Sequence, residues 1–235
     1  MVKKGNVSIK INDQDIEVDG KLTLMEAISQ AGENTPVICF HEATTPEGLC
    51  RLCVVEVDGW RVLAPACITQ VSDGMVIHTN SDRVTRSRRT ILEMLNASTD
   101  LSQANEIKGQ IATYGVDRNR FPGAVRRNYE VLDDNPFYVR DYDKCILCWR
   151  CVQACGDDLQ FTYALSVGVR GYETKIATSY ASPIPETSCV FCGNCVAVCP
   201  TDALRSKTEF FLEQGLDYDQ IRLEKQKARR NTPKK

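Results

Sequence analysis

Histidine is nearly absent from this chain of 235 residues: only His41 and His78 occur. Two histidines, with no motif around either, leave no Ser–His–Asp set for nucleophilic catalysis. Neither a Walker loop nor a GxGxxG turn is present, so no phosphate cradle for a nucleotide is visible. No apolar run approaches the ~18 residues that a spanning helix needs. The start, "MVKKGNVSIK", carries positive charge without an apolar core behind it, which is not a secretory signal. A cytoplasmic protein is expected, and the Asn-x-Ser triplets at Asn6 and Asn96 are chance matches. Excess charge is missing too: the formal net charge of −2 gives no general attraction to nucleic acid or to an anionic membrane. Apolar residues at 43% and charged residues at 26% exclude overall disorder.

What the chain does have is cysteine, twelve residues in three groups of four with none left over. The groups are Cys39, Cys50, Cys53 and Cys67; Cys145, Cys148, Cys151 and Cys155; Cys189, Cys192, Cys195 and Cys199. Disulfide frameworks belong to short exported chains, and no export signal is seen here. Thiolates in a reducing compartment bind metal, because the metal draws the thiol pKa down. Spacing then decides between zinc and iron.

The spacing of polar and apolar residues outlines the domains. "VSIKINDQDIEV" alternates as two strands around Asn12-Asp13. "TLMEAISQAG" predicts a short helix with a capping box at Thr23 and Glu26 and an end at Gly32. "VVEVDGWRVLA" predicts two strands about Asp58-Gly59, and "MVIHT" a last one. The fold class is α+β, and strands wrapped around one helix with a cysteine loop between them predict a small β-grasp-like, ferredoxin-like domain over residues 1–79. A helical connector follows over 80–138, with an amphipathic, arginine-laced helix from Asp82 to Leu95 and another over about 103–113. Residues 139–208 form a two-cluster 4Fe–4S ferredoxin-like domain, with "QFTYALSVGVRGYETKIATS" as a hairpin insert. A charged tail covers 209–235. Its last fourteen residues hold seven Lys or Arg against one Glu, as a solvated tail or a docking arm.

Both later groups read Cys-x2-Cys-x2-Cys-x3-Cys. Three thiolates from one tight loop clasp three corners of a cubane. The fourth cysteine is expected to open the following helix, point away and ligate the neighbouring cluster. Cys145, Cys148, Cys151 and Cys199 are thus assigned to one 4Fe–4S cluster, and Cys155, Cys189, Cys192 and Cys195 to the other. Zinc sites draw on separated pairs rather than triplets. Cys199 is followed by Pro200, which fixes the chain as it leaves. Cys155 is followed by Gly156, and the 33 residues before Cys189 are expected to brace that end instead.

In the first group a gap of ten residues precedes a close pair, and the fourth cysteine lies thirteen residues on. This is the plant-type 2Fe–2S arrangement with a longer first gap, ligated by Cys39, Cys50, Cys53 and Cys67. Arg51 lies inside the close pair, as a surface residue or an electrostatic tuner. His41 and His78 read as packing, surface or strand residues, since four cysteines already fill the site. Tyr142, Trp149 and Phe191 adjoin cysteines and are expected to shield the clusters from water.

With three clusters placed, "CFHEATTPEGLCRLCVVEV", "APAC", "GMVIHTNS", "RRTILEML", "KCILCWRC" and "CVFCGNCVAVCPTDAL" resemble a known electron-transfer region. It is shared by the small diaphorase subunit of NAD-reducing hydrogenases and the N-terminal part of the largest soluble subunit of complex I. Iron-only hydrogenases and NAD-linked formate dehydrogenases carry it in their N-terminal parts. The resemblance runs over roughly residues 5–205. Its members usually carry, after the "RRTILEML" helix, a loop with one histidine and three cysteines for a further 4Fe–4S cluster. Here that place reads "NASTDLSQANEIKGQIATYG", which holds no such ligand. The relay here has one step fewer, which sets the chain apart from the hydrogenase diaphorase subunit, and the resemblance leaves open a complex of hydrogenase, formate dehydrogenase, transhydrogenase or electron-bifurcating type.

The expected function is a subunit that relays single electrons and is not catalytic alone. Its partners would be a flavin-containing NAD(P)H-binding subunit and a further catalytic, ferredoxin-linked or thioredoxin-like 2Fe–2S subunit. Flavin and nicotinamide would be bound by the partners, and no nucleic acid or membrane is implied. Three clusters of about −2 each would take the chain from −2 to about −8, favouring basic docking faces. A redox-sensing regulator is the rival from another class, without a nucleic-acid motif to support it. A succinate or fumarate-type iron–sulfur subunit is the other, disfavoured by the full x2-x2-x3 spacing of both late groups.

Overall fold

The structure is a computed structural model and describes residues 5–231, with side chains described up to residue 227. Its contacts define two units. The first takes in the chain up to Phe40 together with Pro46–Leu95 and Ile107–Pro122; the second takes in His41–Thr45, Asn96–Glu106 and the chain from Gly123 onward. Residues 80–138 thus divide between the two.

In the first unit, β1 (Asn6–Ile11) and β2 (Gln14–Asp19) form an antiparallel hairpin with Asn6 opposite Asp19. The chain then enters α1 (Leu24–Gln30) through the capping box: the Thr23 hydroxyl accepts from the Glu26 N–H, and Glu26 accepts from the Thr23 N–H at 2.7 Å. Such a cap is worth about 1 kcal/mol. After the cysteine loop come β3 (Val54–Val57), the two-residue β4 (Ala64–Pro65) and β5 (Val76–His78). The sheet order is β2-β1-β5-β3-β4, with β1 and β5 parallel and the other pairs antiparallel. Leu24, Ala27 and Ile28 of α1 pack with Ile9, Ile11, Val55 and Ile77 of the sheet, all buried. Each large aliphatic chain so buried contributes roughly 1.5–3 kcal/mol. This is the expected β-grasp-like arrangement, a sheet wrapped on one helix.

The connector contributes α2 (Asp82–Ser98) and α3 (Asn105–Thr113). Arg88 of α2 is almost wholly buried, which its amphipathic pattern did not foretell. Its guanidinium donates to the Val54 carbonyl at 2.8 Å and to the Tyr114 hydroxyl at 3.0 Å. A buried guanidinium is tolerated when such acceptors replace water.

In the second unit, β6 (Tyr138–Arg140) leads through a 3-10 turn at Tyr142–Lys144 into the second cysteine group and α4 (Arg150–Cys155). The insert contains an antiparallel pair, β7 (Ser166–Gly168) and β8 (Lys175–Ala177), where the sequence predicted a hairpin. The third group carries the four-residue α5 (Asn194–Ala197), and β9 (Leu204–Ser206) returns to pair antiparallel with β6. Ser206 then caps α6 (Lys207–Glu213), and α7 (Tyr218–Asn231) follows. Tyr138, Tyr142, Leu165, Ile176, Ile184 and Leu204 form the buried core of this unit, packed with the cysteines. The basic tail falls partly beyond the described residues. Among the described residues, no helix is long and apolar enough to cross a membrane.

Candidate iron–sulfur sites

In the first unit the four cysteines converge on one end of the sheet. Cys53 leads into β3, Cys67 follows β4, and Cys39 and Cys50 come from the preceding loop. The Cys53 and Cys67 sulfurs lie 3.5 Å apart, and the Cys50 N–H donates to Cys39 Sγ at 3.4 Å. The Leu52 N–H donates to Cys50 Sγ at 3.5 Å. Hydrogen bonding between the Cys39 and Cys50 side chains holds Cys50 down at about 6 and drives Cys39 far above its ordinary value. The Cys53–Cys67 hydrogen bond likewise places Cys53 at about 7 and drives Cys67 up. The paired thiols, Cys39 with Cys50 and Cys53 with Cys67, form a sulfur donor set of the kind that takes up a soft metal.

Arg51, within the close pair, is exposed, adopts a left-handed backbone (φ 59°) and reaches the Leu63 carbonyl at 3.4 Å. His41 Nδ1 accepts from the Ala43 N–H at 3.1 Å, and His78 Nε2 lies 2.9 Å from Asp58 Oδ1 on β5.

The two later groups repeat one local design. The N–H two residues after the first cysteine donates to its sulfur at 3.4 Å, Leu147 to Cys145 and Phe191 to Cys189. Leu147 and Trp149 are left-handed in one run, Phe191 and Gly193 in the other. The helix position expected for the fourth cysteine needs correction. Trp149 and Gly193 already act as the residues before the helix, so α4 and α5 start at once. Cys155 accordingly ends α4 rather than opening a helix, and Cys199 lies just past α5.

The sulfurs group across the runs. The Cys199 thiol presses on Cys145, Cys148 and Cys151, in each case behind the larger effect of burial. Cys145 is pushed to about 11, Cys148 to about 12, and Cys151 well above its usual value. Burial also pushes Cys195 up to about 12, helped by Cys189, Cys155 and Cys192. Cys155, Cys189, Cys192 and Cys195 line one small pocket together with Tyr138 and Thr162. Thiols so deeply desolvated ionise against a metal, not against water.

Further donors surround these sulfurs. The Ala164 N–H meets Cys155 Sγ at 3.2 Å, the Thr162 hydroxyl lies 3.3 Å from the same atom, and the Tyr138 hydroxyl lies 3.4 Å from Cys189 Sγ. Sequence reasoning missed all three, and no spacing around them signals the role. Tyr142 is buried, and the Phe191 ring lies tilted against Phe137 with the ring centres 5.0 Å apart. Trp149 differs: it is 37% exposed.

Residues 4–82 match the 2Fe–2S iron–sulfur cluster binding domain, and residues 144–203 match the 4Fe–4S dicluster domain. The chain is an iron–sulfur protein of two cluster domains, with a complement of one 2Fe–2S and two 4Fe–4S clusters. It is 32% identical over 209 residues to a subunit of the NADH-quinone oxidoreductase of Rhizobium meliloti, covering 85% of this chain and 24% of that protein. Over 210 residues it is 34% identical to the NADP-reducing hydrogenase subunit HndD of Solidesulfovibrio fructosivorans, covering 84% and 36%. A chain in the crystal structure of an NAD+-reducing [NiFe]-hydrogenase in the H2-reduced state superposes with a TM-score of 0.75 at 26% identity, covering 86% of this chain and 87% of that one. The chain is thus a homologue of iron–sulfur electron-transfer subunits of NADH- and NADPH-linked oxidoreductases. It spans between about a quarter and a third of the length of those two curated relatives.

Proposed function

We propose that this chain relays single electrons inside a cytoplasmic, multisubunit NAD(P)-linked oxidoreductase. It would stand between a flavin-containing subunit that oxidises NAD(P)H and a catalytic or ferredoxin-linked subunit. In this reading Cys39, Cys50, Cys53 and Cys67 hold the 2Fe–2S cluster. Cys145, Cys148, Cys151 and Cys199 hold one 4Fe–4S cluster, and Cys155, Cys189, Cys192 and Cys195 the other. The observation that supports it is that Cys39, Cys50, Cys53 and Cys67 fall in one unit while the eight cysteines of the two later runs fall in the other. Once bound, such clusters accept and release one electron each without making or breaking covalent bonds to substrate.

The chain's own residues hold the sulfurs, keep water away and set the charge around them. Backbone amides at Leu52, Leu147, Phe191 and Ala164 donate to sulfur and stabilise negative charge there. Tyr142 and Phe191 supply apolar surface next to the cysteines. The test is an anaerobic iron and sulfide count on the purified full chain, with about ten irons expected. About four irons, or stoichiometric zinc, would end this reading. The same preparation should not oxidise NADH alone, and anaerobic co-purification should bring down a flavin-containing subunit.

A further inference from the structure

Arg127 comes from the stretch between the domains that carries no cysteine. Its Nη1 donates to the Cys145 carbonyl at 3.1 Å, and its own N–H donates to the Ser98 carbonyl at 3.4 Å. Its Nε is buried without a hydrogen-bond partner. Among the described residues Arg127 forms no ion pair. The contrast with Lys144 is plain, since that ammonium is held by Asp141 and by Asp100 at 3.3 Å. Glu173 shares the neighbourhood of Tyr129 with Arg127 but does not pair with it. From the other cysteine-free segment, the insert, Tyr172 lies against the guanidinium at 5.9 Å, and its hydroxyl donates to the Val125 carbonyl. Two segments without ligands therefore meet on one cation beside the first cysteine of the second group.

We infer that Arg127 sets the reduction potential of the centre held by Cys145, Cys148, Cys151 and Cys199, with Tyr172 clamping it in place. The inference rests on the ligand sets proposed above. Reduction adds one negative charge to such a centre, and an unneutralised, half-buried cation beside it favours the reduced form.

The experiment is a potentiometric titration followed by electron paramagnetic resonance on the anaerobically loaded full chain. Arg127→Gln should raise the oxidised-to-reduced ratio of one 4Fe–4S centre about tenfold at fixed potential, equal to about 59 mV for a one-electron couple. The 2Fe–2S centre and the other 4Fe–4S centre should not move. Arg127→Lys, which keeps the charge, should hold most of the wild-type potential, and Tyr172→Ala should give a smaller shift of the same sign as Arg127→Gln. If neither Arg127→Gln nor Tyr172→Ala shifts any centre in protein holding about ten irons, or if both 4Fe–4S centres move together, the inference is overturned. Should Arg127→Gln lose its iron, Tyr172→Ala alone decides, since it leaves the arginine present. A wild-type chain that does not load about ten irons would instead overturn the ligand sets.

Discussion

The runs Cys145–Cys155 and Cys189–Cys199 share one spacing and one amide-to-sulfur bond, yet their backbones are shaped by different residues after the second and the fourth cysteine. After the second cysteine, one has Trp149 at φ 68° and the other Gly193 at φ 84°. A side chain in that left-handed conformation costs roughly 1–2 kcal/mol, which glycine avoids. After the fourth cysteine, one run has Gly156 and the other Pro200. A Cβ at Gly156 would meet the Val152 carbonyl at 3.2 Å and the Tyr163 ring at 3.3 Å. The insert has folded onto this glycine: the Thr162 and Tyr163 N–H groups both donate to the Cys155 carbonyl, at 2.9 and 3.0 Å. Ring rigidity at Pro200 and a folded insert at Gly156 are two answers to one demand, a fixed exit from the sulfur loop.

The comparison breaks most visibly at the fourth cysteines. Cys155→Ser should abolish the centre of the third group and spare that of the second, and Cys199→Ser should do the reverse. Each variant should lose about four of about ten irons, and spectra that assign the lost centre to the variant's own run would refute the exchange. A smaller effect separates the glycines. Gly156→Ala forces a contact on backbone and ring and should cost about 1–3 kcal/mol in thermal denaturation. Nothing lies within 4 Å of a Cβ at Gly193, so Gly193→Ala should cost only its backbone strain, roughly 1 kcal/mol. Equal losses would show that the insert is not packed on Gly156.

The smallest effect concerns the residue before each run, Lys144 in one and Ser188 in the other. Burial pushes the Asp100 carboxyl up, but the Ser102 N–H and hydroxyl and the Lys144 ammonium bring it below its ordinary value. A carboxyl lowered by folding stabilises the protein above its unfolded pKa of about 3.9, and the gain is lost as pH falls through the folded value. Asp100→Asn should therefore flatten the acid limb of a Tm-against-pH profile and lower Tm slightly at neutral pH. An unchanged acid limb would show that the Asp100–Lys144 pair is inert.

Elements specified by their own residues were legible in the sequence. The Asn12-Asp13 hairpin, the Thr23–Glu26 cap and the helix from Asp82 depend on neighbours within a few positions, and all three stand in the structure. The strands β6 and β9 were not legible, because three residues each pair across more than sixty positions and neither shows a period. The start of α4 was misplaced because the left-handed residue before it is Trp149, where glycine would have marked the turn. The sulfur donors Thr162, Ala164 and Tyr138 reach their cysteines only through the fold of the insert and of β6. Arg127 is the same case, an ordinary basic residue until Cys145 and Tyr172 close around it.

The short ladder of β6 with β9 joins Tyr138 to Ser206 and Arg140 to Leu204. Everything between, including both later cysteine groups and the insert, is a closed loop whose entrance and exit lie side by side. Chain segments with adjacent ends can be spliced into longer polypeptides without disturbing what they enclose. The eight cysteines are thus packaged as a cassette fastened at its neck, and sequence added before β6 or after β9 leaves their mutual geometry alone.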